Sequence, residues 1–140
     1  MKNILIINGP NLNLLGKREV AIYGSKTFED EITQLHSQYP AVAIDYFQSN
    51  DEGVIVKKIQ EAGKKHTAIV INGGAFTHTS IAIADAVRAV TIPAIEVHIS
   101  NIHAREEYRK KSFLSNACKG SIIGLGIDGY RLAIEHLING

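Results

Sequence analysis

Two pairs of residues in this chain have the types and spacing needed to move protons. Arg18 and Tyr23 stand five positions apart in a Gly- and Asn-rich stretch, INGPNLNLLGKREVAIYG, from Ile7 to Gly24. Glu96 and His98 stand two apart in the run PAIEVHI. A phenol beside a guanidinium on a closable loop points to a tyrosine made basic enough to take a proton from carbon. Unperturbed, about one tyrosine in a thousand is ionised at neutral pH, and lowering its pKa by about 2 units takes about 2.7 kcal/mol. A cation within about 4–6 Å supplies a shift of about 1–3 units, so Arg18 is sufficient in magnitude. The second pair supplies the complementary acid. Residues two apart on a strand share a face, and a carboxylate beside an imidazole favours its protonated, oriented form.

More polar groups cluster around these pairs. Asn8-Gly9-Pro10-Asn11 follows the first apolar run, and Asn72-Gly73-Gly74 with Thr77, His78, Thr79 and Ser80 follows the third. Ser100, Asn101 and His103 follow the fourth. Taken singly, the asparagines and glycines read as turn formers and Thr77 and Ser80 as helix caps. Together they predict a polar pocket. The charged stretch HAREEYRKK at 103–111 reads as a solvated helix with salt bridges, from which Arg105 or Arg109 could turn towards that pocket.

These residues can meet only if the strand ends share an edge. Apolar, β-branched runs occur at 3–8, 41–47, 67–72, 93–99 and 121–126. Several are apolar almost throughout, as strands buried on both faces of a parallel sheet are. Helical stripes lie between them. Phe28, Ile32, Leu35 and Tyr39 form one, with Thr27 as N-cap and Pro40 as stop. Val54, Ile55, Ile59 and Ala62 form the next, with Ser49 and Glu52 spaced as a capping box and Gly63 at its close. Ile81 to Val90 makes a third, and about Gly129 to Ile138 the last. The alternation predicts an α/β fold of the flavodoxin-like type, a five-stranded parallel sheet with helices on both faces, as a single catalytic domain over 1–140. Ligands of such sheets bind outside the carboxyl ends of the strands.

Composition narrows the function classes. With 45% hydrophobic and 21% charged residues and a net charge of +1, the chain offers no field for a phosphate backbone, so nucleic acid is not expected as a partner. Its one cysteine, Cys118, excludes an internal disulfide and fits a reducing compartment. No signal segment and no run of about 18 apolar residues is seen, so a soluble, cytoplasmic protein without membrane partners is expected. Two motifs fail. Gly124 to Gly129 matches G-x-G-x-x-G, but only 11 residues follow Gly129, too few for the strand and acidic residue that a dinucleotide site needs. His78, His98 and His103 lack the spacing of metal ligands on a helix, and no metal is expected.

The segments INGPNLNLLGKRE with Tyr23-Gly24, INGGAFTHTS and IEVHISNIHAREEYR closely resemble the type II 3-dehydroquinate dehydratases of the shikimate or quinate pathway, over essentially the whole chain. The resemblance implies a flavodoxin-like hydro-lyase that converts the small molecule 3-dehydroquinate to 3-dehydroshikimate with no cofactor. It implies Tyr23 as proton acceptor, His98 as proton donor, Glu96 as partner of that histidine and Arg18 as transition-state stabiliser on a lid. Asn11 would help position a water and the developing enolate. Asn72, His78 and Arg109 would hold the substrate's hydroxyls, and Ile99 with Ser100 its carboxylate. Asp85 would be contributed by a neighbouring subunit of a homo-oligomer, a dodecamer built from trimers. Many relatives carry proline and an acidic residue where this chain has Val20 and Ala21, and tyrosine where it has Phe76. A lysine imine is the rival route to the same reaction. Lys57-Lys58, Lys64-Lys65 and Lys110-Lys111 sit in polar contexts that do not favour it. A non-catalytic ligand-binding module on the same fold is the rival class. A receiver-like module would want clustered acidic residues after the first strand and an aspartate ending the third, where this chain has Asn8-Gly9-Pro10 and Asn72-Gly73-Gly74. An FMN-binding one would want a Ser/Thr-rich loop after the first strand.

Overall fold

A computed structural model of the chain describes residues 2–17, 21 and 26–140. Five parallel strands form its sheet: β1 (Asn3–Asn8), β2 (Ala43–Gln48), β3 (Ala68–Asn72), β4 (Ala94–His98) and β5 (Gly120–Ile123). Their spatial order is β2-β1-β3-β4-β5, the order of flavodoxin-like sheets, with the reversal of direction between β1 and β3. The three central strands are apolar on both faces because both faces are covered. Ile4, Ile6, Val70, Ile95 and Val97 pack under α1 (Phe28–Gln38) and α4 (Asp128–Asn139). Leu5, Ile7, Ile69 and Ile71 pack under α2 (Glu52–Lys65) and α3 (Ile81–Ala89). The predicted fold class is therefore the observed one.

Helix ends follow local chemistry, with two departures from expectation. Thr27 caps α1 as predicted, and Asp30 answers it: Asp30 N donates to Thr27 Oγ1 and Thr27 N to Asp30 Oδ2, each at 3.2 Å. At α2 the cap is Asp51, not Ser49. Its Oδ1 accepts from the amides of Gly53 at 2.9 Å and Val54 at 3.3 Å, while Ser49 only accepts from Asp51 N. A carboxylate next to the first turn faces the positive end of the helix, and the more distant hydroxyl does not. Nor does Gly63 end α2, which runs on to Lys65. A Cβ at Gly63 would lie 2.8 Å from Val90 Cγ1, so this glycine lets the helix approach the end of α3.

The loops at the carboxyl edge are held equally closely. Gly9 N donates to Asn72 O at 2.8 Å, and a Cβ on Gly9 would stand 2.3 Å from Gly73 O. The glycines after β1 and β3 thus let two loops touch at the point where strand order reverses. Leu12 and Leu15 anchor the described start of the first loop in the core. The run at 103–111 is not one helix. It forms two 3-10 turns, Ile102–Ala104 and Glu107–Arg109, the first capped by Asn101, whose Oδ1 accepts from His103 N. The fifth strand stops at Ile123, because Gly124 and Gly126 take positive φ and turn the chain into α4. Among the described residues no helix is long and apolar enough to cross a membrane.

Candidate active site

A cleft opens at the carboxyl edge beside β3 and β4. Leu12, Asn72, Gly74, His78, His98, Ile99, Ser100, Ile102, Arg105 and Arg109 line it around about 310 Å³ of empty space, its open mouth included. Six of the predicted site residues therefore converge in one wall: Asn72, His78, His98, Ile99, Ser100 and Arg109. Arg18 and Tyr23 lie outside the described residues. Asn11 precedes Leu12 in a left-handed conformation with φ 68, its amide donating to Asn50 Oδ1, and it is not among the lining residues. Asp85 is exposed on the outer face of α3, paired with Arg88 Nη1 at 3.1 Å, and takes no part in the cleft of its own chain.

The β4 strand places Glu96 and His98 on the face opposite Val97, as the two-residue spacing requires. His98 Nε2 donates to Glu96 Oε2 at 2.6 Å, and both side chains are buried. Glu96 receives three further hydrogen bonds: Ser112 Oγ to Oε2 at 2.6 Å, and Ser115 and Ser121 Oγ to Oε1 at 2.6 and 2.8 Å. Burial alone would raise this carboxyl. The bonds from His98, Ser112 and Ser115 overcome it and hold the group at about 2, so Glu96 is a carboxylate throughout the physiological range. With Nε2 committed to Glu96, Nδ1 is the ring nitrogen left for a substrate.

His78 presents the opposite chemistry. Its ring stacks 6.3 Å from that of His98, and its Nδ1 lies 2.6 Å from Lys111 O. A carbonyl can only accept, so Nδ1 carries a proton and Nε2 of the neutral ring is an acceptor. Burial lowers the pKa of His78, and the nearby His98 and Arg109 add to that, which outweighs the carbonyl's opposing pull. A neutral acceptor next to an imidazole acid suits a substrate hydroxyl.

The sequence left Arg105 and Arg109 as alternatives, and the structure turns both to the cleft. Arg109 Nε donates to Glu106 Oε2 at 2.5 Å, and Arg105 Nη1 reaches Ser100 Oγ at 3.3 Å with Nη2 3.8 Å from Glu106. Both guanidiniums pair with Glu106 while bordering the cleft, and guanidinium donors suit hydroxyl and carboxylate oxygens. His103 is exposed and outside it.

Asn72 is held from behind. Its Oδ1 accepts from Gly74 N at 3.0 Å and its Nδ2 donates to Tyr130 Oη at 2.9 Å, which leaves one N–H for a ligand. Tyr130 in turn donates to Asn8 Oδ1 at 2.8 Å. Neither Tyr130 nor the three serines stood out in the sequence. Tyr130 looked like one more residue of an apolar helix face, although a phenol buried there needs a partner. Thr77 is not a cap: its Oγ1 is buried with no partner among the described residues, while Ser80 does cap α3 through Ile83 N.

A cleft of this polarity, at the strand ends of a 2-1-3-4-5 sheet, has close counterparts among known proteins. The family model described as dehydroquinase class II matches residues 2–138. The chain belongs to this family. It is 56% identical over 141 residues to a 3-dehydroquinate dehydratase of Clostridium botulinum, covering 99% of this chain and 96% of that one. It is 54% identical to a catabolic 3-dehydroquinase of Aspergillus clavatus, covering 97% and 92% respectively. The crystal structure of a type II dehydroquinase from Butyrivibrio crossotus superposes with a TM-score of 0.95 at 46% identity, covering 98% of this chain and 97% of that one. The likeness therefore runs over nearly the whole of this chain and is not confined to a motif.

Proposed function

We propose that this chain is a 3-dehydroquinate dehydratase, a hydro-lyase that removes water from 3-dehydroquinate to give 3-dehydroshikimate through an enolate. The observation that carries the mechanism is the buried Glu96–His98 pair opening on a cleft with two guanidiniums. The substrate is a carboxylate with several hydroxyls and a ketone, and the proton to be lost lies α to that ketone. Tyr23 takes this proton, its phenolate stabilised by Arg18 on a loop that excludes water on closing. Negative charge then builds on the ketone oxygen, where a water positioned with the help of Asn11 donates to it. His98 gives its Nδ1 proton to the departing β-hydroxyl, and Glu96 keeps the ring oriented. Asn72, His78 and Arg109 hold hydroxyls, and the backbone at Ile99 with Ser100 holds the carboxylate.

The chain works without cofactor or metal in this reading, since a phenolate, an imidazolium and a water supply every proton and charge the elimination needs. Its partners are its substrate and further copies of itself. The exposed Asp85 serves a neighbour's cleft within a trimer, and four trimers make a dodecamer. The relatives are named for both a general and a catabolic dehydratase at nearly equal identity.

Purified protein mixed with 3-dehydroquinate should develop the ultraviolet absorbance of a conjugated enone, at a rate unaffected by chelator. Borohydride added with substrate should trap no adduct. Absence of the enone would remove the proposed reaction, and a trapped adduct would replace its mechanism with an imine.

A further inference from the structure

The hydroxyls around Glu96 hold that group in its charged form. Ser112 Oγ accepts from the amides of Leu114 and Ser115, each at 3.1 Å, so both its lone pairs are used and its one proton must point to Glu96. Oε2 then has two donors, His98 and Ser112, and Oε1 has two, Ser115 and Ser121. A carboxylate offers about four acceptor sites, and all are filled by donors. Moving the Nε2 proton of His98 to Glu96 would therefore break or reverse at least one of these four bonds, which keeps that proton on the ring. The ring alternates between imidazolium and the Nε2–H neutral form, and the only proton it can release is on Nδ1.

That release has an electrostatic consequence. While His98 is an imidazolium, the fully buried charge of Glu96 has a counter-charge 2.6 Å away. Once the proton has gone, the charge remains without one, in a place where an uncompensated ion is costly. A bare pair would hold its proton tightly and make a weak acid. We propose that Ser112, Ser115 and Ser121 are positioning residues for the acid: their hydroxyls carry the charge of Glu96 when His98 gives up its proton, and so set how readily it is given. The three come from two places, the segment after the Arg109 turn and the edge strand β5. Ser115 and Ser121 are themselves exposed, so they stand as a roof between Glu96 and solvent.

This inference rests on His98 as the acid only for its kinetic arm. Among the described residues the groups that face His98 are Glu96 on its own strand, His78 from the turn after β3, and Arg105 and Arg109 from the segment after β4. Cys118, ahead of β5, also feels Glu96, but burial pushes its thiol up to about 12 and keeps it neutral. None of these changes in the variants below. Ser112 is left intact because it also holds the turn at Leu114 and Ser115.

The test is the titration of His98 in the whole protein by 13Cε1 histidine NMR, with the signal assigned from a His98→Asn spectrum. Ser121→Val keeps a strand-favouring shape but loses the hydroxyl, and Ser121→Thr keeps both. In Ser115→Ala/Ser121→Val the His98 midpoint should rise by about one pH unit, since each charge-assisted bond lost is worth about that much before solvent replaces part of it. Either single variant should move it about half as far, which serves if the double variant does not fold. Ser121→Thr should titrate as the parent. The kcat of the double variant should fall roughly threefold, as expected of an acid weakened by about one unit. An unchanged or lowered midpoint in folded variants overturns the inference. A raised midpoint with unchanged kcat upholds the cage and removes His98 from its catalytic role instead.

Discussion

Tyr130 in α4 accepts a hydrogen bond from Asn72 at 2.9 Å, so the last helix of the chain fixes the amide that closes β3. The same phenol donates to Asn8, at the end of β1, and it is fully buried. Tyr130→Phe would leave Asn8 Oδ1 and one N–H of Asn72 unpaired in the interior. Each unsatisfied group costs about 1–3 kcal/mol, so a loss of about 2 kcal/mol or more is expected, read as a lower urea midpoint at unchanged slope. KM should rise more than kcat falls, because the proposed role of Asn72 is to bind a substrate hydroxyl and not to react. An unaltered midpoint would show the triad to be idle.

Gly63→Ala separates two physical arguments with opposite signs. Helix propensity favours alanine in a helix interior by about 1 kcal/mol. The space is already taken, because the new Cβ would meet Val90 Cγ1 at 2.8 Å. Overpacking typically costs about 1–3 kcal/mol, so the variant should be less stable than the parent by chemical denaturation. A more stable variant would mean that α2 can shift freely over α3.

The two readings of Gly63 show where the sequence stops being legible. Patterns with a period survive: the apolar runs gave all five strands, and Glu96 with His98 could be placed on one face from spacing alone. Residue type at a helix start also carried, as at Thr27 and Ser80. Contacts across long sequence distances did not. Ser112, Ser115 and Ser121 surround Glu96 from 16, 19 and 25 positions away, with no periodicity to announce them. Tyr130 meets Asn8 across 122 positions. The stretch at 103–111 had the charge of a solvated helix, yet it folds as two short turns that carry Arg105 and Arg109 to the cleft. A glycine between helices leaves the same trace whether it ends one or lets two approach.

Tyr23→Phe should abolish turnover while leaving substrate affinity largely intact, since only the ionisable oxygen is lost. Arg18→Ala should slow the reaction and raise the apparent pKa of the base in the rate profile by about 1–3 units, the shift that a nearby cation supplies. Stopped assays across pH with both variants make the check. Near-normal activity in the first, or an unmoved profile in the second, removes the phenolate from the mechanism.

In the proposed mechanism Glu96 ties catalysis to stability against acid. Its carboxyl is held at about 2 in the fold against an ordinary value of 4.5. A depressed folded-state pKa means that the unfolded chain binds the proton more readily, so the stabilisation is complete above about 4.5 and is lost as pH falls towards 2. At about 1.4 kcal/mol per unit the contribution at neutral pH is on the order of 3 kcal/mol. Glu96→Gln removes the titrating group and should flatten that part of the acid limb in urea unfolding between pH 2 and 4.5. It should also slow turnover, because the amide can turn either its N–H or its oxygen to His98 and no longer enforces the Nε2–H form. An acid limb as steep in Glu96→Gln as in the parent would place the sensitivity elsewhere and leave the hydroxyl cage without a charge to carry.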